Sequence, residues 1–123
     1  MIYRSPVILC VEDDLDTQEM LQILLNGRGY EYEAALTCAA GLGMVVEKKI
    51  ALLVLDNLLP DGTGVELCKQ VREFDKQLPI VFVSGSAHEY ERQEALKSGA
   101  NAFLTKPLNL AEFFAFLDKY API

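Results

Sequence analysis

The order of apolar and amphipathic segments in these 123 residues predicts an α/β fold, a three-layer (βα)5 doubly wound sandwich around a five-stranded parallel sheet. Three observations carry that expectation. Short apolar runs alternate five times with stretches whose apolar residues recur at helical spacing. The runs are apolar throughout, as strands buried on both faces are. Strands one, three, four and five also each end on a polar residue, at the edge where open parallel sheets bind their ligands.

Each element has its own signal. Val7–Val11 (VILCV) is the first strand, halted by acidic residues. Asp16 and Glu19 form a capping-box pair for a helix carrying Met20, Leu21, Leu24 and Leu25, which Gly27 and Gly29 end. Tyr30–Leu36 reads as a second strand with fewer apolar residues, and Thr37 as the cap of a helix with Ala40, Leu42, Val45 and Val46. Ile50–Leu55 is the most apolar strand, and Asp56 stops it. Asn57–Gly64 (NLLPDGTG) is a loop dense in turn formers. Val65, Leu67, Cys68, Val71 and Phe74 mark the third helix, and Pro79–Val83 the fourth strand. Tyr90–Ser98 is a short helix ended by Gly99, Asn101–Leu104 the fifth strand, and Leu110–Tyr120 the last helix. In that helix Leu110, Phe113 or Phe114, and Leu117 are the expected buried stripe, with Phe116 and Tyr120 toward the sides. Residues 1–5 and 121–123 read as free ends.

Composition excludes several function classes. A formal net charge of −7 repels phosphate backbones and anionic membrane surfaces, so no direct nucleic-acid or membrane binding is expected. Ile50–Leu55 and Phe113–Leu117 are too short to span a bilayer. Residues 1–12 (MIYRSPVILCVE) show no small-residue cleavage site, so no signal peptide is expected and the location is read as cytoplasmic. Cys10, Cys38 and Cys68 are odd in number and widely spaced, as buried small residues in a reducing compartment are. His88 reads as a surface residue at a helix start.

The chemistry gathers at the carboxyl ends of the strands. Glu12, Asp13 and Asp14 follow the first strand, Asp56 the third, Ser84 the fourth and Lys106 the fifth. Asp14 reads as a cap or neighbour of the first helix. Glu12, Asp13 and Asp56 at one edge would repel one another, and a hard divalent cation such as Mg²⁺ is their natural partner, with the Leu58 carbonyl as a neutral ligand. Lys106 and the Ser84 hydroxyl could face a phosphoryl group, and Asp56 could accept it as an acyl phosphate.

These residues resemble the response-regulator receiver domains of two-component signalling. The matching stretches are Val7–Asp14 (VILCVEDD), Leu52–Gly64 (LLVLDNLLPDGTG), Ile80–Ala87 (IVFVSGSA) and Gly99–Pro107 (GANAFLTKP). The resemblance implies one receiver domain over residues 1–123, with a core over about 6–120, and the flavodoxin-like strand order 2-1-3-4-5. It implies that Asp56 is the phosphoacceptor and that Glu12 and Asp13 hold Mg²⁺, Asp13 directly and Glu12 partly through water. Leu58 would offer its carbonyl to the metal, Ser84 would be the switch hydroxyl, Lys106 the site lysine and Phe103 the aromatic switch residue. Leu58 and Ser86 would flank the hydrolytic water's path, and the Lys106–Pro107 bond would be cis. The implied partners are a histidine kinase or histidine phosphotransfer protein, and an effector domain or second copy on the helix 4–strand 5–helix 5 face. Such a domain is regulatory rather than an enzyme.

Some positions depart from the family's commonest pattern. Ser84 stands in place of Thr, Gly85 in place of Ala and Leu59 in place of Met. Phe103 has no hydroxyl, and Asn101 stands where one salt-bridged dimer type needs an acid. Other classes fit less well. A Mg²⁺-dependent aspartyl-phosphate phosphatase would need an acid at Leu58, and a flavin carrier would need a Ser/Thr/Gly-rich first loop in place of Glu12, Asp13 and Asp14. A phosphate-independent interaction module of the same fold is the alternative reading.

Overall fold

The computed structural model describes residues 5–86 and 88–123. Five strands, β1 (Val7–Val11), β2 (Glu31–Ala35), β3 (Leu52–Leu55), β4 (Ile80–Ser84) and β5 (Ala102–Thr105), alternate with five helices. These are α1 (Leu15–Gly27), α2 (Cys38–Glu47), α3 (Gly64–Phe74), α4 (Glu89–Lys97) and α5 (Leu110–Tyr120). The strands form one sheet in the order β2-β1-β3-β4-β5, parallel at every pairing. This is the expected 2-1-3-4-5 order.

Alternation along the strands splits the core in two. Ile8, Cys10, Leu52, Val54, Val81, Val83 and Leu104 face α1 and α5, where Leu21, Leu25, Phe113, Phe116 and Leu117 cover them. Leu9, Val11, Leu53, Leu55, Ile80, Phe82 and Phe103 face α2, α3 and α4. Both faces of β3 are therefore buried, which is why its run is apolar throughout.

Several local expectations need correction. Asp14 caps α1, in keeping with its reading from the sequence: it has extended backbone and accepts from the Thr17 N–H at 3.2 Å and the Thr17 hydroxyl at 2.5 Å. Asp16 is already inside the first turn, so it cannot form the expected capping box with Glu19. Val46 and Phe74 are exposed, and Met20 partly so, at the polar edges of their helices. In α5 the buried stripe is Phe113, Phe116 and Leu117. Leu110 is the first helical residue and faces solvent, whereas Phe116 packs inward. Phe114 is half-buried beneath the Arg28 guanidinium, 4.2 Å from its ring centroid. Cys10 and Cys68 are buried, but Cys38 is only half-buried. Of the expected free ends, residues 1–4 lie outside the described residues, and Ala121 is buried, its carbonyl accepting from the Tyr30 hydroxyl at 2.7 Å. Among the described residues, no helix is long and apolar enough to cross a membrane.

The Asn57–Gly64 loop contains a short antiparallel hairpin, Leu58–Leu59 against Gly62–Thr63. It closes onto α3 at Gly64, where a Cβ would sit 2.4 Å from the Asp56 carbonyl oxygen and 2.8 Å from the Phe82 ring. Only glycine allows that approach. Gly43, by contrast, is mid-helix with nothing within 4 Å of an added Cβ. Gly64→Ala should therefore cost about 1–3 kcal/mol in denaturant unfolding through overpacking. Gly43→Ala should instead stabilise by about 0.5–1 kcal/mol through helix propensity. Equal effects of the two substitutions would contradict the close approach at Gly64.

Candidate functional site

The carboxyl ends of β1, β3, β4 and β5 meet at one edge. Glu12 follows β1 and is 2% exposed, while Asp13 beside it is exposed and Asp56, following β3, is partly buried. One carboxylate oxygen from each of the three lies within 4.8 Å of the others. Lys106, following β5, reaches in from the side. Its Nζ is 2.5 Å from Glu12 Oε1 and 3.8 Å from Asp56 Oδ2. The Asn57 N–H donates to Asp56 Oδ1 at 2.7 Å, which orients the Asp56 carboxylate.

The electrostatics are crowded. Burial, and then the adjoining Asp56 carboxyl, push the Glu12 carboxyl above its ordinary range, and Lys106 only partly offsets them. Burial works to lower the Lys106 ammonium, but Glu12, Asp56 and Asp14 outweigh it and hold the lysine above its usual value. The two partners of the ion pair thus both move upward. The causes differ: burial comes first for Glu12, whereas the acids around Lys106 account for the lysine. Glu12 Oε2 is buried with no hydrogen-bond partner. A buried carboxylate oxygen left orphaned is costly unless a cation or proton meets it. The donor set is all oxygen, which suits a hard cation such as Mg²⁺, so Glu12, Asp13 and Asp56 could hold one.

Ser84, at the end of β4, is 3% exposed, and its Oγ accepts from the Ser86 N–H at 3.3 Å. Its carbonyl accepts from the Lys106 N–H at 2.8 Å, which ties the hydroxyl-bearing and lysine-bearing loops together. The Lys106–Pro107 bond is cis, as the resemblance implies. Phe103 is buried in β5 and stacked on Phe82, ring centroids 6.1 Å apart. Leu58 starts the hairpin two residues beyond Asp56, paired with Thr63, and its side chain is 72% exposed. Every expected site residue except Phe103 therefore lies on this edge or the loops above it, and Phe103 is joined to it through β5. A concavity of about 610 Å³ opens beside Pro6 and Ile50 at the opposite end of the strands, where Lys48 and Glu33 pair at 3.0 Å. It is remote from these groups.

A profile of the response regulator receiver domain family matches residues 8–118. The chain belongs to that family. It is 36% identical over 115 residues to an uncharacterized 14.6 kDa protein of Leptolyngbya boryana, covering 92% of this chain and 88% of that one. The transcriptional regulatory protein DltR of Streptococcus agalactiae is 32% identical over 108 residues, and the response regulator MprA of Mycobacterium leprae 36% over 108. Each of these matches covers 88% of this receiver, which spans about half the length of DltR and MprA. Among solved structures, the non-phosphorylated HemR receiver domain of Leptospira biflexa superposes with a TM-score of 0.86 at 34% identity, covering 97% of this chain and 96% of that one. A two-component response regulator from Clostridium difficile gives 0.89 at 30% identity, with 94% and 95% covered. Receiver domains of this family are regulatory parts of two-component systems.

Two residues of this receiver's site were not singled out from the sequence. One is Gln18, buried on α1 beneath the Glu12 loop. A buried glutamine leaves no mark in a helical apolar pattern. The other is Asp61 at the hairpin turn, whose carboxylate accepts from the Cys38 and Ala39 N–H groups at 2.7 and 3.0 Å. It satisfies two free amides at the start of α2 beside the Thr37 cap, and so pins the loop after Asp56 to α2. Those amides hold the Asp61 carboxyl below its ordinary value. A depressed carboxyl contributes stability above its unfolded-state value and loses it as pH falls through the folded one. Asp61→Asn should lower Tm at neutral pH. The gap to wild type should close as pH falls below about 4. A gap unchanged down to acid pH would show that the carboxylate charge contributes nothing.

Proposed function

We propose that Asp56 accepts a phosphoryl group from a histidine kinase or a histidine phosphotransfer protein, and that Ser84 and Phe103 convert this into a change of the α4–β5–α5 face. The single observation that carries the reading is the set of charges around Asp56. A partly buried carboxylate at the end of the central strand has a lysine 3.8 Å away and two further carboxylates beside it, one with an orphaned oxygen.

The residues divide the work. Glu12, Asp13, Asp56 and the Leu58 carbonyl would hold Mg²⁺, which when bound neutralises charge on the phosphoryl oxygens. The Asn57 N–H fixes one Asp56 oxygen and leaves the other toward Lys106. A free Asp56 oxygen attacks phosphorus, and the donor's P–N bond breaks. The imidazole keeps that electron pair and takes a proton from solvent. Lys106 meets one oxygen of the arriving group in place of part of its present pairing, and the Ser84 hydroxyl donates its proton to another. Moving Ser84 inward draws on the loop whose hydroxyl now accepts from Ser86. Phe103 packs on Phe82 in the adjacent strand, so the ring responds to that shift. This is a two-state element biased by local charge.

Incubation with Mg²⁺ and acetyl phosphate should add a single phosphoryl group by intact mass, and the adduct should vanish without metal and in Asp56→Ala. No adduct in a folded wild type that also fails to bind beryllofluoride would defeat the phosphoacceptor reading. In parallel, millimolar Mg²⁺ should raise the Tm of the wild type by mass action. Asp13→Asn should raise Tm without metal, by relieving repulsion, and should lose the Mg²⁺ increment. A Mg²⁺ increment retained in Asp13→Asn would remove Asp13 from the ligand set.

A further inference from the structure

Gln18 is 6% exposed and sits on α1 directly under the carboxyl edge of β1. Its Nε2 donates to the carbonyls of Cys10 and Glu12, each at 2.9 Å, and approaches the Ala35 carbonyl at 3.3 Å. Its Oε1 accepts from the Tyr32 hydroxyl on β2. The amide can face only one way, because the flipped form would point its oxygen at three carbonyl oxygens.

The consequence falls on the acidic pair. The Glu12 N–H donates to the Ala35 carbonyl at 3.0 Å, and the Glu12 carbonyl accepts from Gln18. That carbonyl lies beyond the last ladder positions of β1, which end at Val11, so no strand holds it. The same carbonyl orients the peptide plane between Glu12 and Asp13. One buried amide therefore sets the backbone from which both acids project, and Tyr32 sets that amide. Preorganisation of this kind matters most where like charges repel, since a loosened loop would let the carboxylates part.

We infer that Gln18 and Tyr32 are positioning residues for the acidic pair and that they tune the affinity of the Glu12–Asp13–Asp56 cluster for a divalent cation. Neither touches the cation or the reacting atoms. The inference rests on the receiver reading of that cluster.

The test uses the full chain in three variants, with Mg²⁺ alone as the probe. Gln18→Leu removes the amide at similar volume, and Tyr32→Phe removes only the hydroxyl. Arg28→Met breaks the exposed pair with Asp118 at the far end of α1 and serves as the control for general destabilisation. Calorimetric titration should show Mg²⁺ binding weakened about 10-fold in Gln18→Leu, the lower end for partners that orient metal ligands. Tyr32→Phe should weaken it in the same direction by less, and Arg28→Met should leave it unchanged. In nitrogen-15 spectra the Gln18 side-chain amide protons should exchange slowly in wild type and faster in Tyr32→Phe. If Gln18→Leu fails to fold, Tyr32→Phe decides alone. Unchanged Mg²⁺ affinity in the folded variants, with lowered Tm, would reduce Gln18 and Tyr32 to a structural staple and overturn the inference while leaving the receiver reading intact. A wild type that binds no Mg²⁺ would overturn both.

Discussion

Like-charge crowding at one sheet edge organises this receiver. Glu12, Asp13 and Asp56 converge within 4.8 Å, and among the described residues Lys106 alone forms salt bridges to them. That arrangement is unfavourable in isolation, since burial and proximity both act against ionised carboxylates. It persists because the sheet leaves no alternative. β1 and β3 are adjacent, parallel and buried, so their first polar residues must emerge side by side. The crowding is a property of the topology, and it lies where a cation or a phosphoryl group could act on it.

The elements around that edge divide between holding it and answering to it. Asp14, Asp61 and Gln18 hold the loops that carry the acids, each by satisfying backbone groups that the strand and helix ends leave open. Gly64 lets α3 start against the Asp56 carbonyl and the Phe82 ring at once. Phe82 in turn stacks on Phe103. A chain of contacts thus runs from the Asp56 backbone through α3's first residue and β4 to β5. A second chain runs through hydrogen bonds, from Lys106 to the Ser84 carbonyl. Both tie β4 to β5, one by packing and the other by backbone hydrogen bonding.

Much of this was legible in the sequence, for a physical reason. Strands buried on both faces leave an unbroken apolar run, and the polar residue that ends such a run marks the edge where the acids, the hydroxyl and the lysine gather. Asp56, Ser84 and Lys106 were readable in that way, as was the Thr37 cap, which accepts from Ala40 as expected. Interactions between distant segments were not readable. Asp61 caps α2 from 22 and 23 residues away, and Gln18 reaches across 17 residues to Ala35. Neither follows a period. At α1 the sequence offers both Asp14 as a cap and Asp16 with Glu19 as a capping box, and only the path of the chain leaving β1 selects Asp14. The stripe of α5 is only partly legible, because periodicity fixes spacing but not phase. Leu110, Phe113, Phe114, Phe116 and Leu117 offer two overlapping stripes, and the position of the sheet selects Phe113, Phe116 and Leu117.

Asn101 shows how a departure from the family's pattern can be read once its contacts are known. Its Oδ1 accepts from the Ile80 N–H at 2.8 Å and from Arg72 Nη2 at 3.3 Å. Arg72 also donates to the Gly99 and Asp75 carbonyls, each at 3.0 Å. The start of β5 is thereby tied to the start of β4 and the end of α3 within one chain. Gly99, with φ +115°, gives the arginine room, since a Cβ there would lie 2.7 Å from the Arg72 side chain. The position that serves an intermolecular ion pair in one dimer type serves an intramolecular tether here. The start of β5 is therefore anchored by side chains, whereas its far end is held by the backbone ladder, with Ser84 opposite Thr105 and the Lys106 N–H on the Ser84 carbonyl.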